Sequence, residues 1–112
     1  MQTNKIKAKD WQGQLNLISK KLDKRYIDFE VVGSDFESHF ELKSIYLQSL
    51  NYDPKEDVVH IASDDFEHII YSPAAIYFKS DDANVRAIES IEIVDSEDSQ
   101  RTVTFENPVL LS

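Results

Sequence analysis

The chain has 112 residues, 41% of them apolar, no cysteine and a formal net charge of −9, which fits one domain with a modest core of its own. The missing thiols exclude disulfides, thiolate nucleophiles and cysteine zinc sites, and no apolar run approaches the length of a membrane-spanning helix. So acidic a chain repels phosphate, and direct nucleic-acid binding is not expected.

The charge is unevenly placed. Up to Arg25, seven basic residues (Lys5, Lys7, Lys9, Lys20, Lys21, Lys24, Arg25) stand against Asp10 and Asp23; from Tyr26 onward, five basic residues face nineteen acidic ones. A solvated acidic face accounts for this. The sharper alternative is an acidic surface that meets a basic partner or mimics nucleic acid. The absence of cysteine fits a reducing cytoplasm, and the N-terminal MQTNKIKAKDW lacks the apolar region of a signal peptide.

Residues 1–9 are polar and are expected to fray. Asp10 is a good N-cap. Trp11, Leu15, Ile18 and Leu22 recur at helical spacing, with Leu17 at the edge of the stripe, which predicts a helix from Trp11 to Lys24. Gly13 weakens it slightly. Lys20, Lys21, Lys24 and Arg25 would sit at the negative end of the helix dipole.

From Tyr26 the period becomes two. Ile27, Phe29 and Val31 alternate with Asp28 and Glu30, the pattern of a half-buried strand. Gly33-Ser34 ends it, and Asp35 to Glu41 reads as a connector carrying Phe36, His39 and Phe40. Ile45–Leu50 and Val58–Ala62 flank Asn51-Tyr52-Asp53-Pro54-Lys55-Glu56-Asp57. Pro54 fixes its own φ and pushes Asp53 out of the helical region, while Asn51 and Asp53 can bond their own downstream backbone. This is strand, polar turn, strand.

Ser63-Asp64-Asp65 is the next turn, followed by a strand over Phe66–Tyr71, a stop at Ser72-Pro73, an extended piece over Ala74–Phe78 and a loop over Ser80–Asn84. Ile88–Val94 and Arg101–Phe105 form the last hairpin. Ile88 is out of phase with Ile91 and Ile93, which predicts a bulge near Glu89-Ser90. Asn107-Pro108 is expected to end the sheet. Short connections imply antiparallel neighbours, and no βαβ alternation is present. The predicted fold is α+β, with the N-terminal helix packed on one bent antiparallel sheet, a small half-barrel.

The chain resembles a bacterial family of small proteins, the domain of unknown function 5335 family. The likeness is carried by the Trp11 helix, strand Ile27–Val32 with Gly33 after it, Leu42, and Leu50 to Val58 read as an apolar residue, x, then YDPxxDV. It continues through His68-Ile69-Ile70-x-x-Pro73-x-x-Ile76 and Ala87-Ile88-Glu89 to Asp95. Asp95-Ser96-Glu97-Asp98 departs from the Gly-bearing Asp turn expected in that family. The resemblance implies a fold and a bacterial origin, and brings no activity.

Several constellations invite chemistry. If Ala62 pairs with Phe66, His60 lies directly opposite His68 and the two imidazoles can share a divalent metal with Asp57. If Ala62 pairs with Glu67, they point to opposite faces. The sequence leaves both registers open. Asp53, Glu56 and Asp57 lack the spacing and glycine of an EF-hand, and read as a turn. Asp64-Asp65 and Asp81-Asp82 are adjacent loop carboxylates, which do not face each other across a cleft. No G-x-S-x-G elbow or glycine-rich phosphate loop occurs, and His39 reads as a connector residue. Tyr46, Tyr52, Phe66, Tyr71, Tyr77 and Phe78 exceed what one sheet face must bury, so aromatics near Tyr52, Asp53 and Tyr77 are candidates for a partner surface.

The leading expectation is a cytoplasmic, non-catalytic interaction or structural module without a cofactor, meeting a protein partner or a second copy and neither nucleic acid nor membrane. The alternatives are a small-ligand or divalent-metal-binding domain using His60, His68 and Asp57, and an acidic nucleic-acid mimic that binds a basic protein.

Overall fold

The computed structural model describes all residues except 23–24, 36–38, 64–65 and 112. The fold is a mostly-sheet α+β arrangement. Strand β1 (Gln2–Ile6) leads through a 3-10 turn (Ala8–Asp10) into helix α1 (Trp11–Ser19). Then come β2 (Arg25–Val32), β3 (His39–Leu47), β4 (Ser49–Asp53), β5 (Val58–Ala62), β6 (Glu67–Tyr71), β7 (Pro73–Ser80), β8 (Ala87–Asp95) and β9 (Gln100–Leu110). These strands form two open antiparallel sheets, ordered β1-β7-β8-β9-β2-β3 and β4-β5-β6. The single bent sheet expected from the sequence is thus two sheets, the strand path being interrupted at Gln48 between β3 and β4.

One core joins both sheets and the helix. It contains Trp11, Leu15 and Ile18 of α1, Leu50, Val59, Ile61 and Ile70 of the small sheet, and Phe29, Ile76, Ile91, Ile93 and Val103 of the large one. Burying these side chains is the main stabilising term, at ~1.5–3 kcal/mol for each fully buried Leu, Ile, Val or Phe. The alternation read for β2 holds, with Ile27 and Phe29 buried and Asp28 and Glu30 on the other face.

The N-terminus is the clearest departure. Residues 2–6 do not fray but pair with β7, Gln2 opposite Ser80 through Ile6 opposite Ile76. They are polar because β1 is an edge strand with little to bury. Helix α1 is shorter than predicted and stops at Ser19, whose Oγ accepts the Leu50 N–H at 3.3 Å. Leu22 stays buried because the chain continues in a tight turn, with the Lys21 N–H on Ile18 O at 2.9 Å. Lys24 lies outside the described residues. Asp10 occupies the N-cap position without a side-chain cap bond. Arg25 opens β2; its Nε donates to Lys21 O at 3.3 Å, just past the helix end, and its NH1 nitrogen to Asn107 O and Pro108 O at 3.0 and 3.1 Å.

Two further segments differ. The expected connector 35–41 contains the start of β3, which runs from His39 to Leu47; residues 36–38 lie outside the described set. Asn107-Pro108 does not end the sheet. Ser90 pairs with Thr104 and Ile88 with Val109, so Glu89 stands opposite residues 105–108 in the predicted bulge. Proline is tolerated in a strand at such a place, and Val109 beyond it is fully buried.

Candidate functional site

The register of the small sheet decides the histidine question. Ala62 pairs with Glu67, His60 with Ile69 and Ile61 with His68. Side chains alternate across a strand, so His68 shares the inward face of Ile61, and His60 points outward. The His60–His68 metal reading is therefore overturned: a one-residue difference in pairing sends the two imidazoles to opposite faces. Asp57 does not join either of them. It sits at the end of the turn with φ 55° and accepts the Tyr52 phenol at 2.7 Å.

His60 instead lines an open groove of about 580 Å³ across the outer side of the small sheet. Gln12 and Asn16 of α1 form one wall; Ser49, Asn51, Tyr52 and Asp53 of β4, Ala62 beside His60 on β5, and Glu67 of β6 contribute the other described residues. Gln12 and Asn16 are four residues apart, so they stack on one helix face. The helix is held there by its packing on β4. The Trp11 ring meets Tyr52 edge-on at 5.2 Å and its indole N–H donates to Ile6 O at 3.0 Å. Among the described residues no Lys or Arg lines the groove, and the carboxylates that do are Asp53 and Glu67.

The hairpin turn beneath the groove is locally wired. Asp53 Oδ1 accepts the Lys55 N–H at 2.9 Å and the Glu56 N–H at 3.4 Å, as its place before Pro54 led one to expect. The Asp57 carboxylate accepts the Tyr52 O–H, and with burial and the charges of Asp57 and Asp53 it pushes the phenol up to about 12. Tyr52 therefore keeps its proton at neutral pH and acts as a donor, not as a base.

His68 belongs to a second cluster, at the seam between the sheets. Its ring lies 5.1 Å from Phe29 and is stacked on Phe66 at 6.1 Å. Arg101 of β9 donates from Nε to His68 Nε2 at 3.4 Å and pairs through its NH1 nitrogen with Asp95. Burial, then the Arg101 charge, lowers the His68 pKa below 6.5. Burial pushes Asp95 up, but the Arg101 hydrogen bond and the N–H groups of Ser99 and Glu97 outweigh it and hold the carboxyl below its usual 3.8.

The sequence reading missed Gln12, Asn16, Glu67, Arg101 and Asp95. A signal existed for the last two. Arg101 is in phase with buried Val103 and Phe105, and Asp95 with buried Ile91 and Ile93, so opposite charges occupy core-phase positions of one hairpin. Of the proposed partner-surface residues, Tyr52 and Asp53 lie in the groove, whereas Tyr77 is on β7 between Lys5 and Glu92, away from it. The aromatics most exposed among the described residues are Tyr71, Tyr26 and Phe40. Asp64 and Asp65 lie outside the described residues; Asp81 caps its own loop, accepting the Ala83 N–H at 2.6 Å, and Asp82 pairs with the N-terminal amine at 2.6 Å. No described helix is long and apolar enough to cross a membrane.

Comparison with known proteins agrees with the resemblance. The model of a family of unknown function, DUF5335, matches residues 2–112. An uncharacterized protein of Aquifex aeolicus (strain VF5) is 34% identical over 98 residues, spanning 87% of this chain and 86% of its own. No solved structure matches.

Proposed function

The chain belongs to this family of unknown function, and we propose that it is a non-catalytic binding module that receives a basic segment of a partner protein in the groove over β4-β5-β6. The observation that carries the reading is the lining of that groove by the described residues: side-chain amides from Gln12, Asn16 and Asn51, the carboxylates of Asp53 and Glu67, and no Lys or Arg among them. Amides and carboxylates accept hydrogen bonds from ammonium and guanidinium groups. The net charge of −9 draws the same kind of partner at long range.

The chemistry of the groove supports binding over catalysis. Tyr52 is committed to Asp57 as a donor, and Asp53 gives its Oδ1 to the turn. In a cytoplasmic setting, which the cysteine-free composition suits, the partner would be a protein with a Lys- or Arg-rich stretch. The described carboxylates of β2 and β3 do not favour the nucleic-acid mimic: Asp28, Glu30 and Glu41 are interleaved with His39 and Lys43 instead of forming a bare row.

The test is an NMR titration of the intact chain with three short peptides, one lysine- and arginine-rich, one neutral and one acidic. Shifts at Asn51, Tyr52, His60 and Glu67 with the basic peptide alone, weakening with added salt, are expected. Equal response to all three peptides, or basic-peptide shifts confined to other surfaces, would sink the reading.

A further inference from the structure

We propose that Glu30, His39 and Glu41, on the solvent face of β2 and β3, form a site for a divalent transition-metal ion. This site is separate from the groove, and does not depend on its function. It is also not the pair of histidines that the sequence suggested.

The strand register builds it. Glu30 pairs directly with Glu41, and His39 pairs with Val32, one step diagonal to Glu30. His39 and Glu41 are two residues apart on β3 and so project from the same face. Glu30 faces away from buried Phe29. As a result one nitrogen and two carboxylate oxygens lie within 4.8 Å of one another. His39 Nε2 is 3.0 Å from Glu30 Oε2 and 3.7 Å from Glu41 Oε2.

Those spacings suit coordination. Metal–ligand bonds of about 2.0–2.2 Å place neighbouring ligand atoms roughly 3–3.5 Å apart. An ion replacing the proton between His39 Nε2 and Glu30 Oε2 would need only a small closing motion of Glu41. The imidazole makes this a mixed nitrogen–oxygen set, which suits zinc or manganese over calcium. Glu41 is also pre-aimed: its Oε1 holds the Lys43 ammonium at 3.0 Å, leaving Oε2 turned toward His39. Glu30 and Glu41 are like charges directly opposed across the strands; Lys43 offsets part of that repulsion from the Glu41 Oε1 side, and a dication would take up the Oε2 side. Water would complete the coordination sphere, since all three side chains reach solvent.

The experiment uses the intact chain in a non-chelating buffer at neutral pH, with zinc chloride followed by calorimetry and histidine-resolved NMR. One ion per chain is expected, with the His39 resonances shifting and those of His60 and His68 still. His39→Ala and Glu30→Gln should each weaken binding by about tenfold or more. These positions are solvent-facing, and the amide spectrum of each variant reports that the fold is kept. Manganese needs no variant: its paramagnetic broadening should centre on residues 30, 39 and 41. The proposal is overturned if no saturable binding is found, if all three histidines respond in parallel, or if the folded variants bind like the parent chain.

Discussion

Arg101 on β9 reaches across the seam between the two sheets and donates from Nε to His68 Nε2 on β6, while its NH1 nitrogen pairs with Asp95. The accepting nitrogen must be unprotonated for this to hold. The neutral ring is therefore part of how the small sheet docks on the large one.

That requirement gives stability a pH dependence. Below about 6.5 the unfolded chain binds a proton at His68 that the folded chain, with its lowered pKa, resists. Folding stability must then fall as pH drops through that range, and the residue adds no slope above it. Urea midpoints measured from pH 7.5 to 5 should decline less for His68→Gln than for the parent chain. Parallel curves would remove His68 from the account.

Asp95 and Arg101 are 11% and 14% exposed. Removing one partner of such a pair strands the other charge, at a cost of about 3–5 kcal/mol. Arg101→Met is expected to destabilise by that amount in chemical denaturation. Asp95→Asn keeps an oxygen for the Glu97 and Ser99 N–H groups while removing the charge, so adding it to Arg101→Met should recover about 1 kcal/mol or more. The paired carboxyl has a depressed pKa, so its contribution is present above pH 3.8 and is lost in stronger acid.

The Tyr52–Asp57 hydrogen bond has an optical signature. In an ultraviolet titration the Tyr52 phenol should ionise near 12. Asp57→Asn keeps a residue that tolerates φ 55°, and should bring that ionisation down toward the ordinary range. Tyr52→Phe should cost about 1 kcal/mol. A Tyr52 ionisation that does not move in Asp57→Asn would contradict the pairing.

Asp98 has φ 64°, where a glycine carries no side-chain penalty. The turn that stands where a Gly-bearing one was expected thus holds a left-handed residue at Asp98, with Asp95 N–H on Ser99 O at 3.0 Å and Asp98 N–H on Asp95 O at 3.1 Å. Asp98→Gly should stabilise the fold by about 0.5–1 kcal/mol, read as a rise of several degrees in Tm.

Gly13 makes the opposite case. It is in the first turn of α1, and a Cβ there would meet nothing within 4 Å. Gly13→Ala should stabilise by about 0.5–1 kcal/mol, from better helix propensity and a less flexible unfolded chain. A loss of stability in thermal unfolding would mean that α1 needs that position bare.

The amino-acid sequence by itself determined the local periodicities. The stripe of Trp11, Leu15 and Ile18 forms a helix, Ile27 and Phe29 face inward, the Asp53-Pro54 turn closes a hairpin, and the phase slip at Ile88 marks a bulge. Each follows from side-chain spacing or from the restricted φ of proline, which act over a few residues. The family was legible for the same reason, since its signature is a series of such turns and strands. Tertiary structure alone decided the pairings between distant segments. Polar Gln2–Ile6 became a strand because β7 offered an edge, and β3 and β4 parted into different sheets. A single step of register between β5 and β6 sent His60 to the groove and His68 to Arg101. Period-two patterns look alike in either register, and only burial of Ile61 and Ile70 against the rest of the core selects between them.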